Sequence, residues 1–225
     1  MELEHIMYRA LFHIEEITKE LYDFSKPGVL VIPGFLTPDF CREAIADFRA
    51  KEHLFWEAPR VENTTKQELK VHYCGEADKG EREGGQFPYV CALKEAFSPL
   101  YKALGARAGF AQGAQLNSRG IHWYGAGSFG MGVHRDYSID INLICSFTLS
   151  SNTRFYVHAN KQGLGTQAFE VTPGSVILMR GPRRLEEHDY RPYHSVDRVT
   201  EDRFALLFRQ KKLASPLSRP SERPA

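Results

Sequence analysis

Apolar residues recur at Ile6, Leu11, Ile14, Ile17 and Leu21, three to five positions apart, with Glu and Lys between them. That is the period of an amphipathic helix, and it predicts a helix over residues 5–22. Val29 to Ile32, bounded by Pro and Gly, reads as a short buried strand. Thr37-Pro38-Asp39 is a helix start: a hydroxyl cap, a proline at the first helical position, then an acid. Phe40, Ala44, Ile45 and Phe48 would line its buried face, with the end near Lys51. Residues 52–90 lose this regularity and scatter aromatics (Phe55, Trp56, Tyr73, Phe87, Tyr89) among polar groups. At that length the segment is expected to hold a hairpin or a lid. A helix over 91–106 follows, anchored by Leu93, Phe97, Leu100 and Leu104, with a break expected at Pro99.

From about residue 115 the texture changes. Short β-rich runs alternate with Gly, Pro, Asn and Ser: GIHWY, INLICSFTL, RFYVHA, AFEVT, SVILMR, RPYHSV and RFALLF. Such a series indicates a barrel or a double-sheet jelly roll. The expected organisation is a helical and lid region over about 1–114, a jelly-roll core over about 115–213, and a proline-rich disordered tail over 214–225.

Composition changes this picture little. The chain has 225 residues, 42% of them apolar, with 29 Lys plus Arg against 28 Asp plus Glu. A near-neutral balance exerts no strong pull toward nucleic acid or membrane. Cys41, Cys74, Cys91 and Cys145 form no CxxC pair, so a disulfide framework or cysteine zinc site is not expected. No run approaches the roughly 20 apolar residues of a membrane span, and the acidic N-terminus is unlike a signal peptide. A cytoplasmic protein is expected, and nothing in the sequence sets an oligomeric state.

The chemistry concentrates in GMGVHRDYSID, residues 130–140. Side chains at i and i+2 of an extended segment point the same way. His134 and Asp136 would therefore share a face, and Arg135 would turn from it. This is the one His-x-Asp in the chain; the His-x-Glu at His13 lies in the predicted helix, where i and i+2 diverge. Two imidazoles and one carboxylate on one face suit mononuclear iron. A second imidazole could come from His158, His188 or His194. His158 sits in a packed strand and reads as structural. His188 sits in a charged turn and reads as solvated. His194 precedes a strand in which Arg203, Ala205, Leu207 and Arg209 face one way and Phe204, Leu206 and Phe208 the other. An arginine on an otherwise apolar buried face calls for an anion.

Together these pieces resemble the iron(II)- and 2-oxoglutarate-dependent dioxygenases, and within them the AlkB-like branch. The resemblance covers about residues 115–211, and 27–50 loosely. It implies an α+β protein: a double-stranded β-helix (jelly-roll) core with N-terminal helices packed against it. His134, Asp136 and His194 would be the metal ligands. Arg203 would take the distal carboxylate of 2-oxoglutarate, and Tyr124, Arg209 and His122 would line the same cofactor site. The implied cofactors are Fe(II), 2-oxoglutarate and O2, with ascorbate as a candidate reductant. Asp136 stands where related halogenases carry a small residue, which implies hydroxylation or oxidative demethylation of a C–H bond. Members of the branch that repair nucleic acid carry acids directly after the His-x-Asp. Here Tyr137 and Ser138 stand there, with Asp140 beyond, so Tyr137 and Asp140 are candidate substrate contacts. A small molecule or a protein side chain is the expected substrate. An alkylated base in nucleic acid is the alternative, served by aromatics of 55–90 and the basic run Arg209, Lys211 and Lys212, and a non-catalytic β-sandwich binding module is the outside alternative.

Overall fold

The first predicted helix is broken by a contact with a distant part of the chain. This computed structural model describes residues 3–58, 60–61, 65–74, 86–110, 112–182 and 190–212. In it α1 (Leu3–Ile6) stops where Met7 bridges Leu36, and the Tyr8 N–H donates to the Phe35 carbonyl at 2.9 Å. A one-turn 3-10 segment (Arg9–Leu11) leads into α2 (Ile14–Tyr22). The break shifts the buried stripe, so Leu11, an expected anchor, is 40% exposed while Phe12 is buried. A short helix gains little per residue, and the hydrogen bonds to residues 35–36 prevail.

β1 (Val29–Ile32) and α3 (Pro38–Ala50) follow the sequence expectation. Thr37 Oγ1 accepts the Phe40 N–H at 3.2 Å, Pro38 starts the helix, and Phe40, Ala44 and Phe48 are buried with Cys41, while Ile45 is half-buried. Residues 52–90 contain β2 (Trp56–Glu57), β3 (Arg60–Val61), β4 (Thr65–Lys66) and β5 (Lys70–Tyr73). β3 and β4 form the expected hairpin. β5, which the sequence pattern did not single out, pairs with a strand of the main sheet.

α4 (Pro88–Ala108) begins earlier than expected and runs through Pro99. An internal proline costs about 3 kcal/mol. Val90, Leu93, Phe97, Leu100 and Leu104 are all buried in this helix, each contributing about 1.5–3 kcal/mol, so packing outweighs the lost bond. Gly109 ends it in the left-handed region at φ 69°.

The second half supplies β6 (Ser118–Tyr124), β7 (Met131–His134), β8 (Asp140–Thr148), β9 (Thr153–His158), β10 (Gln167–Val171), β11 (Val176–Arg180), β12 (Tyr193–Val196) and β13 (Arg203–Lys211). All seven expected strands are present, with β7 in addition. They form two antiparallel sheets, β1-β11-β8-β13-β6-β5-β2 and β10-β9-β12-β7. The helices cover one face of the larger sheet, where Phe204, Leu206 and Phe208 enter the main core. Its other face meets the smaller sheet through Val29, Ile144, Phe155, Val157, Ile177 and Met179. Burial on both faces explains why β8 and β13 read as near-continuous apolar runs. The fold is α+β, a double-stranded β-helix with N-terminal helices against it. The tail over 214–225 and the turn holding His188 lie outside the described residues. No described helix is long and apolar enough to cross a membrane.

Candidate metal centre

Antiparallel pairing of β7 with β12 sets His134 directly opposite His194. Gly130 makes the approach to β7 possible. Its φ is +81°, and a Cβ there would lie 2.3 Å from the carbonyl oxygens of both Val196 and Asp197, space that only glycine tolerates. The two imidazoles stand 4.2 Å apart between centroids. Asp136, two residues past His134, completes a group whose ligand atoms all lie within 4.8 Å of one another.

Hydrogen bonds fix the histidine tautomers. His134 Nδ1 lies 2.9 Å from the Gly132 carbonyl and His194 Nδ1 3.2 Å from the Pro192 carbonyl. A carbonyl only accepts, so each Nδ1 carries the proton and each Nε2 keeps its lone pair for a metal. Burial pushes the His194 pKa down to about 4, so it stays neutral at physiological pH. Burial works against the charge of Asp136, but Arg209, His194 and His134 outweigh it and hold the carboxyl below the usual carboxylate range. Asp136 Oδ2 is buried without a hydrogen-bond partner among the described residues, 3.9 Å from His194 Nε2. Two imidazoles, each with Nδ1 turned to a carbonyl, and a carboxylate with a spare buried oxygen fit Fe(II) in a two-histidine, one-carboxylate site with open positions. No other cluster of three such ligands occurs among the described residues.

The inner face of β13 forms one wall of the cavity beside this group. Arg203, Ala205, Leu207 and Arg209 point into it, as the alternation predicts. Arg203 is 2% exposed, donates to Thr148 Oγ1 at 3.2 Å, and lies over the Tyr124 ring, its cross-strand neighbour. No described carboxylate pairs with it, and burial lowers its pKa. The Tyr124 hydroxyl is pushed up to about 12 by burial. His122, opposite the small Ala205, also lines the cavity, and its Nε2 is buried without a described partner. Burial, then Arg209 and Arg203, lowers its pKa well below the ordinary value, leaving it neutral.

The remaining residues meet the sequence expectation in part. Six residues of straight strand would set Arg209 about 20 Å from Arg203, but the β13–β8 register shifts between Phe208 and Gln210. Both arginines line one cavity, and Arg209 faces Asp136 and Asp140 at 3.9 and 3.8 Å. Asp140 is 1% exposed and is not part of the cavity wall. Tyr137 is half exposed at the rim. Arg135, expected to turn from the metal group, is among the residues lining the cavity, and its guanidinium lies 3.9 Å from the centre of the Tyr193 ring. His158 is held by Thr166 and Ser195 within its strand, as expected of a structural residue. Tyr73, one of the aromatics the sequence offered, lines the wall, and sequence reasoning missed Gln67 beside it, which sits in a polar stretch with no distinguishing pattern.

The sequence pattern of the 2OG-Fe(II) oxygenase superfamily matches residues 28–219. The chain belongs to that superfamily. The matching pattern is its AlkB-like form, and membership makes the chain an oxygenase with Fe(II) and 2-oxoglutarate as the implied cofactors. Solved oxygenase structures share the fold at low identity. A prolyl hydroxylase from Trichoplax adhaerens, in complex with a hypoxia inducible factor peptide fragment, superposes with a TM-score of 0.59 at 13% identity, over 88% of this chain and 90% of its own. A 2OG-Fe(II) oxygenase family oxidoreductase from Burkholderia pseudomallei gives 0.58 at 17% identity, over 88% and 89%. OsALKBH1 gives 0.55 at 16% identity, over 82% and 99%. No curated protein sequence matches the chain.

Proposed function

We propose that this oxygenase hydroxylates, or demethylates by hydroxylation, a C–H bond of a small molecule or a protein side chain. His134, Asp136 and His194 would hold Fe(II), which with 2-oxoglutarate and O2 supplies the oxidising power for C–H cleavage and yields succinate and CO2. Arg203 would bind the distal carboxylate of 2-oxoglutarate. The observation that carries this reading is the Arg203 guanidinium, 2% exposed with no described carboxylate beside it, within one cavity with three convergent candidate metal ligands. A buried cation in that state is stabilised by an anion arriving from outside. Tyr124 would orient the same carboxylate as a neutral phenol, and His122 would offer a neutral imidazole.

Residues 1–213 are taken as one oxygenase domain, because β1, β2 and β5 of the first half complete the sheet of the second. The substrate class follows from what the aromatics of 55–90 do. Phe87 is fully buried, and Phe55 packs edge-on against Phe87 and Trp123. Of the five, Tyr73 is the one that lines the cavity. Arg209, a candidate phosphate contact, is 9% exposed and faces two carboxylates. These placements favour a small or peptidic substrate over a flipped base.

The test is 2-oxoglutarate turnover to succinate under Fe(II), across small molecules, peptides and methylated single-stranded DNA. Stimulation by one of the first two classes is expected. Stimulation by the DNA alone would overturn the substrate reading, and succinate formation surviving in Asp136→Ala would overturn the site.

A further inference from the structure

Gln67 is a buried amide held by one end. It stands between β4 and β5, 6% exposed, in the wall of the cavity that also contains His134, Asp136 and His194. Its Nε2 donates to the Ala58 carbonyl at 2.6 Å. A carbonyl only accepts, so this bond fixes which end of the amide is nitrogen. The Oε1 end has no hydrogen-bond partner among the described residues, and it is not among the orphaned atoms sealed inside the protein. Oε1 is therefore the end open to a ligand in the cavity. Backbone pairing places it. Gln67 bridges Met131, the first residue of β7, and His134 is the last. Three residues of strand span about 10 Å, which sets the amide that far along β7 from the metal ligand this strand carries. The segment is fixed on both sides: Ser128 Oγ donates to the Glu68 carbonyl at 2.8 Å, and the Ala58 N–H to the Leu69 carbonyl at 2.9 Å.

We propose that Gln67 is a specificity-determining residue whose Oε1 accepts a neutral amide N–H of the substrate. Burial removes the water that would otherwise solvate a carbonyl oxygen, and a donor that arrives with the substrate restores the lost bond. The acceptor is uncharged. Asp136, the one carboxylate in the cavity wall among the described residues, belongs to the metal group, so a buried ammonium would find no counter-ion. An amide N–H only donates. A hydroxyl also brings lone pairs, which Gln67, its nitrogen already committed to Ala58, does not serve. A peptide bond or a secondary amide near the oxidised carbon meets these conditions. This inference rests on the reading of the substrate as a small molecule or a protein side chain, and narrows it.

The experiment measures stimulation of 2-oxoglutarate turnover by N-acetyl amino-acid N-methylamides and short capped peptides. Each is paired with its ester counterpart, in which oxygen replaces the N–H. An acceptor left unmet in a buried site lowers kcat/KM by about 5- to 140-fold, and the wild type should prefer amide over ester by that factor. Gln67→Met and Gln67→Glu both lose the bond to Ala58, but only the glutamate keeps an acceptor. The preference should survive in Gln67→Glu and vanish in Gln67→Met. A purely structural role would move both variants alike and leave the amide-to-ester ratio unchanged, which overturns the proposal. Should Gln67→Met not fold, the wild-type ratio decides: equal stimulation by amide and ester overturns it. Stimulation confined to small molecules without an amide overturns the proposal and leaves the broader substrate reading standing. Stimulation by methylated single-stranded DNA alone overturns both.

Discussion

His134 and His194, sixty positions apart, are cross-strand partners in β7 and β12, and their rings lie 4.2 Å apart. Each is oriented by a carbonyl two residues before it. The ladder thus builds the metal group before any metal arrives. Co(II) at about 100 times its Kd should stabilise the wild type by about 2.7 kcal/mol, a rise of roughly 5–10 °C in melting temperature for a chain of this size. Asp136→Ala and His194→Ala should show no such rise. Differential scanning calorimetry with and without the ion checks this.

Arg203→Met should separate binding from stability. Truncating one partner of a buried charge pair costs about 2–5 kcal/mol of binding, so 2-oxoglutarate affinity should fall by about 30- to 5,000-fold. The same change removes a buried cation that no described carboxylate balances, so the cofactor-free protein should melt at the same temperature or higher. Calorimetric 2-oxoglutarate titration and thermal melts measure the two effects. Unchanged affinity would contradict the assignment of Arg203.

Acid should destabilise the metal-free protein through its buried histidines. His194 titrates at about 4 and His122 well below its ordinary value, both chiefly through burial. The unfolded chain protonates them near 6.5, so between about pH 6.5 and 4 it binds more protons than the folded state. Stability is therefore fully present above about 6.5 and falls as pH drops toward 4. Urea unfolding at pH 7.5 and 5 should show the loss, and His122→Phe should reduce it. An equal loss in that variant would contradict the account for His122.

Gly130→Ala should unfold or severely weaken the protein. The new methyl would meet two carbonyl oxygens at 2.3 Å with φ at +81°, and backbone atoms cannot rotate aside. A loss of about 3 kcal/mol or more is expected. Gly125→Ala, with nothing within 4 Å of its Cβ, should stay within about 0.5 kcal/mol. Chemical denaturation of both variants makes the comparison.

Much of the catalytic half was legible because its signals are local. Alternation along residues 203–209 assigned the inner and outer faces of β13 correctly, since pleating imposes a period of two wherever a strand forms. His134 and Asp136 also converge, although β7 ends at His134 and Asp136 lies just beyond it. Arg209 and Asp140 were harder: their placement depends on a register shift and a chain reversal that no alternation encodes.

The sequence by itself determined the strands of the jelly roll and the capped start of α3, which follow from short-range periodicity and residue chemistry, and its resemblance to a known family pointed to His134, Asp136 and His194 as the ligand set. Tertiary structure decided the rest. It broke the first helix at Met7, carried α4 through Pro99, drew β5 into the main sheet and set Arg209 between Asp136 and Asp140. In each case a burial or hydrogen-bond gain with a distant segment, about a few kcal/mol, exceeded the local preference that the pattern expresses.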